Sequence, residues 1–111
     1  MKGFGEKNQE KKIKIPNNEQ IVNSNQLINK AFELQAKGKK LEAAKYYAYL
    51  IKQGTKDFRV FSNYGIFLKE IGKYEEAELK IKKAISLNPQ YANAYYNLAV
   101  LLIDQGNLEK A

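Results

Sequence analysis

Apolar positions recur along the chain in short bursts at helical spacing, and glycine or proline interrupts them at regular intervals. Phe61, Tyr64, Leu68 and Ile71 fall on one helix face, because residues three, four and seven apart share a side. The spacing predicts helices over about 24–37, 58–71 and 92–105. A glycine follows each of them, at Gly38, Gly72 and Gly106. The residue after a helix often turns left-handed, which glycine does at little cost. A second helix is then predicted two residues on, as in KYEEAELKIKKAISLN. Glu75, Glu76 and Glu78 open it and Lys80, Lys82 and Lys83 follow, an order that predicts a match to the helix dipole at both ends. Pro89 stops it and biases Asn88 away from helical backbone.

Shifted by 34 residues, the chain aligns with itself without a gap. Gly38, Gly72 and Gly106 coincide, as do Leu34, Leu68 and Leu102, and Ala43, Ala77 and Ala111. Leu27, Phe61 and Tyr95 form another row, and Asn29, Asn63 and Asn97 a further one. Each unit is helix A, a glycine turn and helix B, so Asn88-Pro89 is the joint between two copies of one plan. Units of this kind stack as a solenoid, each burying its apolar face on the next. Large residues are expected to fill the space between helices A and B, while Gly65, Ala77 and Ala84 let backbones come close. Tyr47, Tyr64, Tyr74 and Tyr95 occupy packing positions and are expected in the core. Tyr46, Tyr49, Tyr91 and Tyr96 are less constrained.

Composition narrows the chemistry. The 111 residues are at most one ordinary domain, 44% hydrophobic and 28% charged, with two prolines. With no cysteine and no histidine, disulfides, the usual zinc sites and Cys or His nucleophiles are excluded. No phosphate-binding loop, dinucleotide fingerprint or calcium-loop spacing is present, and the three clustered glutamates have no partner group for acid–base work. No catalytic residue, metal or cofactor is expected, and the chain is not read as an enzyme. No apolar run approaches the ~18 residues that a membrane helix needs. The amino-terminal stretch has lysines but no apolar core, so it is not a secretory signal, and the cytoplasm is the expected location. Of the net charge of +7, residues 1–14 supply five Lys and two Glu. Residues 1–20 are therefore expected to be a flexible basic leader closed by Pro16, ahead of a helical domain over 21–111. Charge alone points to RNA, and nucleic acid is not an expected partner.

The 34-residue unit resembles the tetratricopeptide repeat, whose pattern is W-x2-L-G-x2-Y, then A-x3-F, then P. The second unit, 58–91, reads Phe61-x2-Tyr64-Gly65-x2-Leu68, Ala77-x3-Ile81-x2-Ala84 and Pro89. The third, 92–111, reads Tyr95-x2-Leu98-Ala99-x2-Leu102 and then Ala111. The first, 24–57, is weaker, with Lys30 at a normally apolar site and Leu50 and Thr55 in place of Ala and Pro. More narrowly, the chain is similar to the N-terminal repeat region of a group of bacterial tetratricopeptide proteins with a lysine-rich leader. The resemblance implies an all-α fold, a right-handed superhelical solenoid, and a function in binding a protein or an extended peptide on the concave face formed by the A helices.

Positions that project into that face map onto Asn25, Ile28, Asn29, Phe32 and Gln35, then Arg59, Ser62, Asn63, Ile66 and Lys69, then Asn93, Tyr96, Asn97, Val100 and Ile103. Two rows stand out, the amides Asn29, Asn63 and Asn97 and the apolar Phe32, Ile66 and Val100. An amide side chain both donates and accepts, which matches a peptide bond. Such a ladder can hold an extended backbone while the apolar row takes side chains, with Arg59 and Tyr96 as further contacts. Similar ladders serve peptide binding in the helical arm of O-linked N-acetylglucosamine transferases. The two-carboxylate clamp of relatives that hold chaperone tails maps onto Ile28, Phe32, Asn63, Asn93 and Asn97, where only Asn63 is retained, so that specialisation is not expected. The third unit ends early in its helix B, expected from Leu108, which leaves Tyr95, Leu98 and Leu102 without a cover. The expectations are that the chain is the start of a longer protein, alternatively the substrate-recruiting arm of a transferase-type enzyme, or that another molecule, such as a second copy, covers the open side.

Overall fold

The computed structural model describes residues 23–110, so the leader and Ala111 lie outside the described residues. Five helices follow in order: α1 Ser24–Ala36, α2 Lys40–Lys52, α3 Phe58–Glu70, α4 Tyr74–Leu87 and α5 Ala92–Lys110. Among the described residues there is no strand, and the architecture is an all-α helical repeat. The chain divides into two compact units, one up to Thr55 and one from Lys56.

In the first unit α1 packs on α2. Asn23 starts α1 with a capping box. Its side chain accepts the Gln26 N–H at 2.9 Å while its own N–H donates to Gln26 Oε1 at 3.0 Å. Two otherwise orphaned donors are satisfied at once. Leu27, Ile28, Ala31 and Leu34 of α1 and Ala43, Ala44, Tyr46, Tyr47 and Leu50 of α2 are buried. Tyr47 is wholly enclosed, its ring 6.2 Å from that of Phe32 and its hydroxyl donating to Gln35 Oε1. Tyr46, less constrained than Tyr47 by its place in the repeat, is buried too. Ile28 is also buried rather than projecting onto an open face.

In the second unit α4 packs on both α3 and α5, and α3 also touches α5. Ala77, Ile81 and Ala84 of α4 have no exposed surface, nor do Ala94 and Leu101 of α5. A Cβ at Gly65 would stand 2.6 Å from Ile81 Cγ1 and 3.2 Å from the Ala77 carbonyl oxygen. The glycine is what permits α3 and α4 to close to this distance. The α1–α2 and α3–α4 turns are the same object. Gly38 and Gly72 have φ of 82° and 87°, and the next N–H reaches back to Leu34 O at 2.9 Å and to Leu68 O at 2.8 Å. This 6→1 bond closes the helix end, and it places the left-handed residue where glycine belongs. Asn88 is extended (φ −145°, ψ 89°), as Pro89 requires, and its side chain accepts the Gln90 N–H at 3.1 Å.

Three expectations are corrected. Helix A of the third unit does not end at Gly106: α5 runs on to Lys110, and Gly106 lacks the positive φ of its counterparts. Gly106 keeps helical backbone, at the modest cost of one glycine in a helix interior. The α4 dipole is matched at one end only. Glu75 and Glu76 lie in its first turn, but its last turn holds no cation, and Lys82 instead pairs with Glu78 at 2.8 Å. Tyr95 is 48% exposed and not core, because no described helix covers that side of α5.

Candidate functional site

The eight candidate residues all lie on helices α1, α3 and α5, the A helices of the repeat. In the first unit Asn29 is exposed and Phe32 is half-buried against Tyr47.

In the second unit, two polar links hold α3 beside α5. The Asn97 amide donates to Ser62 Oγ at 3.4 Å, and Lys69 Nζ meets the Asp104 carboxylate at 3.7 Å. In both links the partner is 35 residues further along the chain, so the two helices run in the same direction. Their candidate residues therefore lie in matching turns of neighbouring helices. Asn63, Ile66, Asn97 and Val100 are all half-buried. Tyr96 is 69% exposed. Ser62, expected to project into the concave face, is wholly buried and accepts the Asn97 amide of α5. The sequence does not single out Asp104. Its signal would have been a charge opposite to Lys69 one repeat and one residue later.

Arg59 is exposed but already partnered. Its Nε and Nη2 donate to the two oxygens of Asp57 at 3.0 and 2.6 Å. Asp57 also caps α3, accepting the Arg59 backbone N–H at 2.9 Å. The hydrogen bond from the Arg59 side chain holds the Asp57 carboxyl below its ordinary range, against the opposing effect of burial. Phe58 packs edge-on to Tyr91 at 4.6 Å and fixes the start of the same helix.

Residues 58–91 match a family profile described as Tetratricopeptide repeat, and residues 81–111 match another of the same description. These matches support a tetratricopeptide-repeat family. The first profile begins at Phe58, the first residue of α3, and ends at Tyr91, so the matched repeat is α3, α4 and their joint to α5. Neither profile reaches the first unit, where Lys30, Leu50 and Thr55 depart from the tetratricopeptide pattern. Among curated proteins, none matches the chain. Tetratricopeptide repeats are generally protein–protein interaction modules and typically non-catalytic scaffolds. Among the described residues, no helix is long and apolar enough to cross a membrane.

Proposed function

We propose that the chain is an interaction module that takes an extended peptide segment of a partner protein along α3 and α5, the A helices of its second unit. The observation that carries this reading is the parallel pairing of α3 and α5, which sets Asn63 and Asn97 in matching turns with Ile66 and Val100 three residues beyond. Asn97 gives one N–H to Ser62. Its carboxamide oxygen and second N–H are left to meet a peptide group. Tyr96 supplies an exposed ring beside them, and Asn29 is the equivalent amide of the first unit. Because amides read the backbone, affinity should depend little on the peptide's side chains at these points, and selectivity should come from the apolar row.

The test is a random-peptide display selection against the immobilised chain, followed by titration calorimetry with a selected peptide. Asn63→Ala and Asn97→Ala should each weaken binding about 3- to 10-fold, the worth of one net hydrogen bond. A double variant that binds like the parent would exclude the amide ladder. Failure to select any peptide would overturn the wider proposal.

A further inference from the structure

The exposed side of α5 carries a pattern that the rest of its unit explains. At ~100° per residue, Ala92, Ala99 and Gly106 form a line of small residues at the centre of an arc of about 120°. Tyr95 and Leu102 flank the line on one side, 48% and 46% exposed, and Tyr96 and Ile103 on the other, 69% and 62% exposed. From residue 92 to residue 107 the helix has a single charged side chain, Asp104, and it is turned away to Lys69. Between residues 92 and 107 this face therefore carries no charge.

The contact between α3 and α4 shows what such a face receives. There the row Phe61, Gly65, Leu68 is covered by the row Ala77, Ile81, Ala84, with Ile81 and Ala77 set over Gly65. One repeat later the first row reads Tyr95, Ala99, Leu102. The second row has the spacing small-x3-Ile-x2-small, and α5 repeats it as Ala99, Ile103, Gly106. One arc of α5 thus holds both halves of the α3–α4 contact. A surface that is at once acceptor and insert is complementary to itself across a two-fold axis.

We infer that α5 pairs antiparallel with α5 of a second copy of this chain, crossing at the level of Val100. Ile103 and Ala99 of each copy lie over Ala99 of the other, as Ile81 and Ala77 lie over Gly65, and Tyr95 packs on Gly106 of the opposite helix. Ala99 has the Cβ that Gly65 lacks, so the pair stands slightly further apart than α3 and α4. Gly106 fits this geometry, since nothing in its own chain lies within 4 Å of a Cβ built there. Covering the four large side chains in both copies removes on the order of 1,000 Å² from water, the lower bound for a specific interface. The pairing closes off Tyr96 and so competes there with the proposed peptide contact, and sedimentation without peptide tests it separately.

Sedimentation of the full chain from micromolar to near-millimolar concentration tests it. The expected result is a reversible monomer–dimer equilibrium, weakened at least about tenfold by Ala99→Arg with helicity unchanged. The chain has no cysteine, so Ala99→Cys gives a second readout that does not depend on tolerance of a charge. Under mild oxidation it should form a disulfide-linked dimer, while Leu41→Cys, exposed on α2, should give only background. A chain that stays monomeric throughout overturns the inference. So does undiminished dimerisation of Ala99→Arg, or cross-linking of Ala99→Cys no greater than that of Leu41→Cys.

Discussion

Asn97 of α5 donates its side-chain amide to the hydroxyl of Ser62, a residue of α3 with no exposed surface, at 3.4 Å. A row of three asparagines that looks uniform in the sequence is therefore not uniform in the fold. Asn97 spans two helices, whereas Asn29 stands exposed on α1.

The two should respond differently to alanine. Asn97→Ala removes a partner from a buried hydroxyl and should lower the unfolding free energy by about 0.5–1 kcal/mol, the bond being long. Asn29→Ala should stay within about 0.5 kcal/mol of the parent, as surface substitutions do. Urea denaturation of the two variants checks this, and equal losses would place the stabilising role of Asn97 elsewhere.

Gly65 and Ile81 should be coupled. Gly65→Ala forces a methyl to within 2.6 Å of Ile81 Cγ1 and should cost about 1–3 kcal/mol by overpacking. Ile81→Ala removes Cγ1 and Cδ1, the side-chain atoms nearest that methyl, so the double variant should lose less than the sum of the two single variants. A double-mutant cycle by denaturation reads the difference.

The repeat glycines should split into two classes. Gly72, at φ 87°, should be destabilised by alanine, since a Cβ is strained there. Gly106 lies inside α5 with open space around it, so Gly106→Ala should raise stability by up to about 1 kcal/mol through helix propensity. Thermal melts followed by circular dichroism decide it. A loss at Gly106 equal to that at Gly72 would mean that the helix turns there in solution.

Asp57 gives the second unit an acid limb. Its folded carboxyl titrates below its ordinary value, chiefly through the hydrogen bond from Arg59. A depressed folded pKa means that the unfolded chain takes up the proton first. The stabilisation is thus fully present above the unfolded pKa of about 3.9 and fades as pH falls through the lower folded value. Asp57→Asn keeps a capping oxygen but has no titrating charge, so its stability should fall less between neutral pH and pH ~3 than that of the parent. Parallel slopes for parent and variant would assign the acid limb to other carboxyls.

Most of the helices were legible because they rest on local rules. The period placed helix A of the first two units to within one residue of its observed end, and the turn glycines Gly38 and Gly72 were read for the right reason. Gly65 was read as a close-approach position, and Ile81 and Ala77 are what it approaches. Local pattern failed where the outcome depended on what lies beside a helix. Ile28, Ser62 and Tyr96 occupy one repeat position, yet the first two are buried and Tyr96 is the most exposed large apolar side chain among the described residues. Nothing in the three residues announces this.

By itself the sequence determined the period, the helix pairs and their joints. Left-handed turns, proline breaks and apolar stripes act within one or two helical turns, and their residues stand together in the chain. Only the tertiary structure decided which copies of each position do the same job. The α3–α5 register enclosed Ser62 and gave Asn97 a partner, and the open side of α5 left Tyr95 in solvent and let the helix run through Gly106. Burial is a property of the neighbouring helix, and a repeat carries its own pattern but not its neighbour.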